Sequence, residues 1–176
     1  MLKKLAAVLL YPLACLSTAQ AHITLEQKSA IAGTSYKAVF RVGHGCEGSP
    51  TTALSVFMPE GFVGAKPMAK AGWKLDIKTE KLDKPYDSHG TPVSERAAQF
   101  TWSGGRLLDA EYDEFVVVMP LPDSAEKRAI RVLQQCEKSQ NDWAAIAVEG
   151  QEKPRFPAPT LDIIPAAPAA GHEHHH

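Results

Sequence analysis

The residue of this sequence that is best suited to bind a metal is His22, which follows the tripeptide Ala19-Gln20-Ala21. A-x-A is the cleavage pattern of secretory signal peptides, and a cut after Ala21 makes His22 the first residue of the mature chain. One residue then carries a free α-amine and an imidazole, whose nitrogens lose their protons to a metal at neutral pH with little penalty and close one chelate ring. Nitrogen donors suit Cu(II), which outcompetes other divalent first-row ions at an unconstrained site. The alternative is a solvated histidine that binds no metal.

The cut is predicted because residues 1–21 have all three parts of a signal peptide. Lys3 and Lys4 form the cationic start, residues 5–16 form an apolar run, and the A-x-A site ends the segment. The run is too short to remain as a membrane-spanning helix. We therefore expect a signal peptide at 1–21, a mature protein in the periplasm, and no membrane span after cleavage.

Further metal donors are available in the polar segment 44–50, which is rich in residues that break regular structure. Glu47 could give a carboxylate to a copper centre and cancel part of its charge, although a surface acid is the commoner fate of a loop glutamate. His44 could lie beside the metal, and a loop histidine bonded to the backbone is an equally good interpretation. The residues alone leave both alternatives open.

Cys46 and Cys136 are the two cysteines outside the predicted signal peptide. An exported chain lives where thiols oxidise, so the pair favours a disulfide that closes a loop of about 90 residues. The alternative is a pair of copper-binding thiolates.

Composition excludes several classes of function. Removal of the signal leaves 155 residues, the length of one ordinary domain, with 17 basic and 20 acidic side chains. This balance does not give the basic patch of a nucleic-acid-binding protein. The sequence has no glycine-rich phosphate loop, no G-x-S-x-G, no H-E-x-x-H and no C-x-x-C motif, and we expect no enzyme.

The elements that must position these residues are short strands separated by turn residues, with no long segment of helical period. About nine strands are predicted, at 23–26, 35–42, 51–58, 73–79, 97–102, 114–119, 129–136, 143–148 and 160–164. The segment 81–92 is predicted as a loop and 103–105 as a tight turn. This pattern predicts an all-β fold, an antiparallel β-sandwich of immunoglobulin-like or cupredoxin-like type. The tail at 165–176 is rich in proline and alanine and then in histidine, so it is predicted to be disordered.

Six stretches of the chain resemble the YcnI-like copper-binding family, and together they extend from the signal peptide to Leu161. They are AHITL at 21–25, HGCEGSPTT at 44–52, PMAKAGW at 67–73, WSGG at 102–105, YDEF at 112–115 and PAPTL at 157–161. The resemblance implies a β-sandwich domain at 22–164 that binds one Cu(II) through a single-histidine brace. The brace matches His22, and the family's carboxylate ligand falls on Glu47.

The family also places a tryptophan beside the metal, and Trp143 is the residue that matches. Indole has no lone pair to give a metal, so a tryptophan there shields the ion, stacks against it or relays an electron. Trp73 and Trp102 are more simply explained as core residues.

Three functions remain open. The resemblance favours a periplasmic Cu(II)-binding protein in copper trafficking or homeostasis, whose partners are the copper ion and other periplasmic copper chaperones or a copper importer. The alternatives are a copper-dependent redox enzyme of the polysaccharide monooxygenase type, for which His44 and His89 are the only further histidines of the folded part, and a periplasmic interaction module that binds no metal. The histidines of the tail could scavenge metal or be the remnant of an expression tag.

Overall fold

The computed structural model describes residues 22–88 and 90–167. The predicted signal peptide at 1–21, His89 and the histidines of the tail therefore lie outside the described residues. Within these ranges the chain forms strands and turns, and it contains no helix that could cross a membrane.

Twelve strands account for the regular structure of the described residues. They are β1 (Thr24–Leu25), β2 (Ser29–Ile31), β3 (Ser35–Val42), β4 (Thr51–Phe57), β5 (Lys66–Pro67), β6 (Lys74–Ser88), β7 (Thr91–Leu107), β8 (Asp113–Pro120), β9 (Glu126–Ala129), β10 (Val132–Cys136), β11 (Gln140–Trp143) and β12 (Thr160–Ile164).

The strands form a four-stranded sheet in the order β1-β3-β8-β5, a five-stranded sheet in the order β11-β10-β4-β7-β6, and a small sheet in the order β2-β12-β9. All pairings are antiparallel except that of β12 with β2. Side chains of the two larger sheets meet in one core, with Phe40, Leu54, Phe100, Trp102 and Phe115 almost completely buried. The predicted all-β sandwich is confirmed. Side chains that alternate between buried and exposed positions indicated this fold, because a strand with one covered face has that pattern.

Nine strands were predicted and twelve are observed, because four short strands were missed and the predicted strand at 143–148 is absent. The missed strands, β2, β5, β9 and β11, have only two to four residues each, too few for a recognisable alternation. In addition, the predicted strand 129–136 is divided between two sheets, because β9 pairs with β12 whereas β10 pairs with β4 and β11.

The predicted loop at 81–92 and turn at 103–105 are wrong, because both belong to the long hairpin of β6 and β7. Pro85 lies where the register of this hairpin shifts, between Lys81 and Tyr86, and so interrupts no continuous ladder of hydrogen bonds. Gly104 has a φ of 78° and lies at the irregularity where β7 leaves the register of β4. A glycine inside a strand here marks a bulge and not a strand end.

The predicted strand 143–148 is also wrong. β11 ends at Trp143, and the chain then runs irregularly to β12 with one isolated bridge between Ala145 and Pro157. Ile146 and Val148 gave this segment its strand-like pattern, yet they are 73% and 53% exposed. Their apolar pattern therefore does not correspond to the buried face of a strand.

Candidate metal site

The site begins at an edge of the sandwich, where the chain enters β1. β1 is the outermost strand of the four-stranded sheet and β11 is the outermost strand of the five-stranded sheet. His22 precedes β1, and its half-buried imidazole lies with its ring centre 5.9 Å from that of Trp143, at an interplanar angle of 74°. This edge-to-face contact joins the two sheets. An open groove of about 250 Å³ borders His22, so the imidazole can be reached from solvent.

The same indole supports a second imidazole. The ring centre of His44 lies 6.3 Å from that of Trp143, at an angle of 72°. Nδ1 of His44 is hydrogen-bonded to the carbonyl oxygen of Gly45. A carbonyl can only accept, so Nδ1 carries the proton, and in the neutral ring Nε2 carries the lone pair that a metal requires.

Trp143 is held by a buried amide. Its Nε1 donates to Oε1 of Gln134 over 3.1 Å, and Gln134 on β10 is completely buried. Nε2 of Gln134 donates to the carbonyl oxygen of His44 and to Oγ1 of Thr51, with a distance of 2.8 Å in each hydrogen bond. Because a buried polar group is costly unless it is hydrogen-bonded, these three bonds fix the orientation of the amide.

Glu47 lies at the tip of a two-residue turn between Cys46 and Ser49. Two backbone hydrogen bonds of 2.9 Å close the turn, one in each direction between Cys46 and Ser49. Glu47 and Gly48 have φ values of 52° and 81°, as a type I′ turn requires. Gly45 precedes the turn, and a Cβ on it would lie 1.9 Å from the carbonyl oxygen of Ser49, so no other residue fits there without a backbone shift.

The predicted disulfide between Cys46 and Cys136 is confirmed, with Cα atoms 5.9 Å apart. It joins the turn that carries Glu47 to the end of β10, two residues beyond Gln134. Disulfide sulfurs are not thiolates, so the alternative of a copper-thiolate pair is not supported by this pairing.

The Glu47 carboxylate is paired with Arg155, whose Nη2 lies 2.7 Å from Oε1. Both side chains are mostly exposed, at 63% for Arg155 and 71% for Glu47. The guanidinium lies 4.9 Å from the ring centre of Phe156, and Phe156 packs edge-to-face on Trp143 at 5.2 Å. Glu47 is therefore linked to the shared indole through Arg155 and Phe156.

A further carboxylate lies next to Trp143 in sequence but is already occupied. Both oxygens of Asp142 accept from Arg131, over 2.9 and 2.8 Å. These hydrogen bonds hold the pKa of the Asp142 carboxyl below its usual range, and the negative charge of Asp142 is matched by its own cation.

Sequence reasoning predicted four residues of this site, and the structure brings three of them together. His22 and His44 both contact Trp143, while Glu47 belongs to the adjoining turn. Among residues 22–88 and 90–167 there is no cluster of three or more histidine, cysteine, aspartate or glutamate side chains already arranged around a common point.

Two residues of the site were missed. Gln134 occupies a buried position of β10, alternating with Val132, and a polar residue at an apolar position of that pattern was an available signal. Arg155 lies in an irregular segment and had no such signal.

Comparison with known proteins supports the fold and identifies the family. No curated protein matches the chain. A crystal structure of an uncharacterized protein from Nocardia farcinica, described as having an immunoglobulin-like fold, is similar to it with a TM-score of 0.63 and 23% sequence identity, over 81% of this chain and 97% of that one. A family model described as a domain of unknown function, DUF1775, matches residues 22–163, and this is the name under which the YcnI-like family is known. The chain therefore belongs to the DUF1775 family.

Proposed function

We propose that this chain is an exported Cu(II)-binding protein that takes up one ion at His22, after a signal peptidase has made that residue the N-terminus. The observation that supports the proposal most strongly is the contact of His22 with Trp143. A buried indole orients the imidazole at the open edge of the sandwich, beside a groove and at the first residue of the domain.

The donors near this edge suit Cu(II). An α-amine and an imidazole on His22 supply two nitrogens, Nε2 of His44 is a further nitrogen near the same indole, and Glu47 supplies a carboxylate on the adjoining turn. Copper(II) favours such nitrogen and oxygen donors in a tetragonal arrangement. The carboxylate must first exchange its bond with Arg155 for one to the metal, and both partners are exposed enough to do so.

The role that follows is to hold copper for transfer. A site at a surface edge, with few donors and with one of them shared with an arginine, binds an ion that a partner protein can reach and remove. We therefore place the chain in copper trafficking or homeostasis in the periplasm, with copper chaperones or a copper importer as partners. When bound, Cu(II) is an electron-accepting Lewis acid. The chain's own residues would orient these ligands at the solvent-facing edge of the sandwich.

The test compares three proteins that differ only at the start of the domain. The mature protein beginning at His22, the His22→Ala variant and a variant with one extra alanine before His22 are titrated with Cu(II) against a competing chelator. We expect the native start to bind one equivalent tightly, and both variants to bind at least 100-fold more weakly with unchanged circular dichroism. Equal affinity for the extended protein would show that the α-amine is not a ligand.

The position of His44 favours a second candidate, a copper-dependent redox enzyme of the polysaccharide monooxygenase type. Such a centre needs a second imidazole beside the N-terminal histidine, and here both rings contact Trp143. Oxygen consumption that depends on a reductant and a glycan, and that is abolished by His22→Ala, would favour the enzyme over the trafficking protein.

A further inference from the structure

We infer that Gln134 is the positioning residue of this metal site, because one buried amide fixes both the indole that supports the two imidazoles and the backbone of His44. This inference rests on the proposed function, since it names the group that arranges the proposed ligands. The side chain of Gln134 is hydrogen-bonded to Trp143, to the carbonyl of His44 and to Thr51, so it acts on the proposed ligands through the indole and through the His44 backbone.

The position of Gln134 in the fold makes it an unusual residue. Val132 and Gln134 are both buried on β10, whereas Gln135 between the amide and Cys136 is exposed. A glutamine facing a core loses its bonds to water, and an apolar residue would fit the same face without that cost. The presence of a glutamine at this buried position is therefore explained by its three hydrogen-bond partners.

The three partners also determine which way the amide points. Nε2 donates to two oxygens, the His44 carbonyl and Oγ1 of Thr51, so Oε1 must face the indole. Trp143 Nε1 is a donor only, and Oε1 is the acceptor that it meets. The opposite orientation of the amide would set Nε2 against the indole N–H, donor against donor, and Oε1 against the His44 carbonyl oxygen, which cannot donate; only the Thr51 hydroxyl could adapt, by donating instead of accepting.

The result is a rigid connection between two parts of the site that come from distant parts of the sequence. Trp143 ends β11 and contacts His22, while His44 begins the loop that leads to Glu47 and Cys46. The disulfide fixes the far side of this loop to β10, and Gln134 fixes its near side to the same strand. A shift of the amide would therefore move both the indole and the loop.

The test substitutes methionine for Gln134, which keeps a similar volume and removes every hydrogen bond. The matched control is Gln99→Met on β7, which lies beyond β4 in the same sheet. Gln99 also donates from its amide to a threonine hydroxyl, that of Thr101. The first measurement is made on the metal-free proteins. Nuclear magnetic resonance follows the indole N–H of Trp143 and the ring-current shifts that this indole imposes on the imidazole protons of His22 and His44.

We expect Gln134→Met to lose the exchange protection of the Trp143 N–H and to change the imidazole shifts of both histidines, whereas Gln99→Met leaves them as in the wild type. Copper affinity should fall at least 10-fold in Gln134→Met alone, with a changed electron paramagnetic resonance spectrum. A folded Gln134→Met protein with unaltered imidazole shifts and unaltered affinity would overturn the inference.

A measurement on the wild type keeps the inference falsifiable if the variant does not fold. Trp102 Nε1 donates to the carbonyl oxygen of Met68 over 2.9 Å and provides an internal reference. We expect the Trp143 N–H to exchange with solvent as slowly as that of Trp102, and fast exchange would refute a fixed amide partner. These metal-free measurements stand even if the wild type binds no copper, so failure of the proposed function and failure of this inference are distinguishable.

Discussion

The ion pair of Arg155 with Glu47 gives the clearest quantitative prediction for the site. Arg155→Gln removes a cation from a carboxylate that is proposed to bind Cu(II). Because both side chains are more than half exposed, the pair itself contributes less than about 1 kcal/mol to folding. The substitution should therefore act on metal binding and leave the free energy of unfolding nearly unchanged.

The size of the effect follows from the contact distance. Nη2 of Arg155 is 2.7 Å from Oε1 of Glu47, and a metal bonded to that carboxylate lies about 2 Å from its oxygen. A doubly charged ion and a guanidinium about 5 Å apart repel by about 1.7 kcal/mol in water. At 0.15 M salt the Debye length of about 8 Å reduces this repulsion to about 0.9 kcal/mol, a factor of between four and five in affinity.

The assay is competitive titration of Cu(II) at two salt concentrations. We expect Arg155→Gln to bind copper about fivefold more tightly than the wild type at 0.15 M salt and by a larger factor at 0.01 M. Glu47→Gln should bind more weakly, and in that background Arg155→Gln should have a smaller effect. The matched control is Lys127→Gln. Lys127 on β9 forms another exposed ion pair, with Asp162, and its replacement likewise removes one positive charge.

Two results would refute this reasoning. Unchanged affinity in Arg155→Gln would mean that the metal does not approach Glu47. Weaker binding would mean that the guanidinium supports the carboxylate in its liganding position instead of competing with the metal.

Two further predictions concern stability. Replacing Cys46 and Cys136 together by serine removes a cross-link between residues 90 positions apart. In the chain-entropy model the free energy of unfolding, measured by urea denaturation, should fall by about 4–5 kcal/mol. A fall below about 1 kcal/mol would contradict the model. Tyr36 donates a hydrogen bond of 2.5 Å to the carbonyl oxygen of Gln27, and burial, with Glu26 nearby, raises the pKa of Tyr36 to about 12. Because the pKa in the folded state lies above the unfolded value near 10, the stabilisation is fully present below pH 10 and is lost as the pH rises to 12. Between these two pH values the free energy of unfolding should fall by an amount on the order of 2–3 kcal/mol in the wild type, and the Tyr36→Phe variant should lack this fall.

The central strands of the sandwich could be predicted because β3 and β4 have alternating side chains and β8 has a continuously apolar centre. All three contribute to the shared core, and their limits differ from the prediction by at most one residue. The β6–β7 hairpin could be predicted only in part by the same rule, as strands at 73–79 and 97–102. The remainder, which contains the predicted loop at 81–92, is mostly exposed, so its sequence shows no alternation, and Pro85 and Pro92 indicate a loop when they are considered alone.

Candidate ligands could be proposed from the sequence, but their arrangement could not. A cleavage pattern pointed to His22 and a family resemblance to Glu47, and neither indicates where the two residues lie in the fold. The approach of His22 to Trp143 depends on β1 and β11 both being edge strands of different sheets, a property of the whole topology. The pairing of Glu47 with Arg155 joins residues 108 positions apart, which no local pattern indicates.

On the proposed route, the bond between Cys46 and Cys136 bears on when this protein can bind metal. Before export the two cysteines would be thiols, and the loop that bears Glu47 would be joined to β10 by hydrogen bonds such as that of Gln134 to the His44 carbonyl, without a covalent bond. Oxidation after export would fix the loop to the sheet, and cleavage after Ala21 would expose the amine of His22. Both steps of maturation would then precede copper binding, so on this route the chain would not compete for copper inside the cytoplasm.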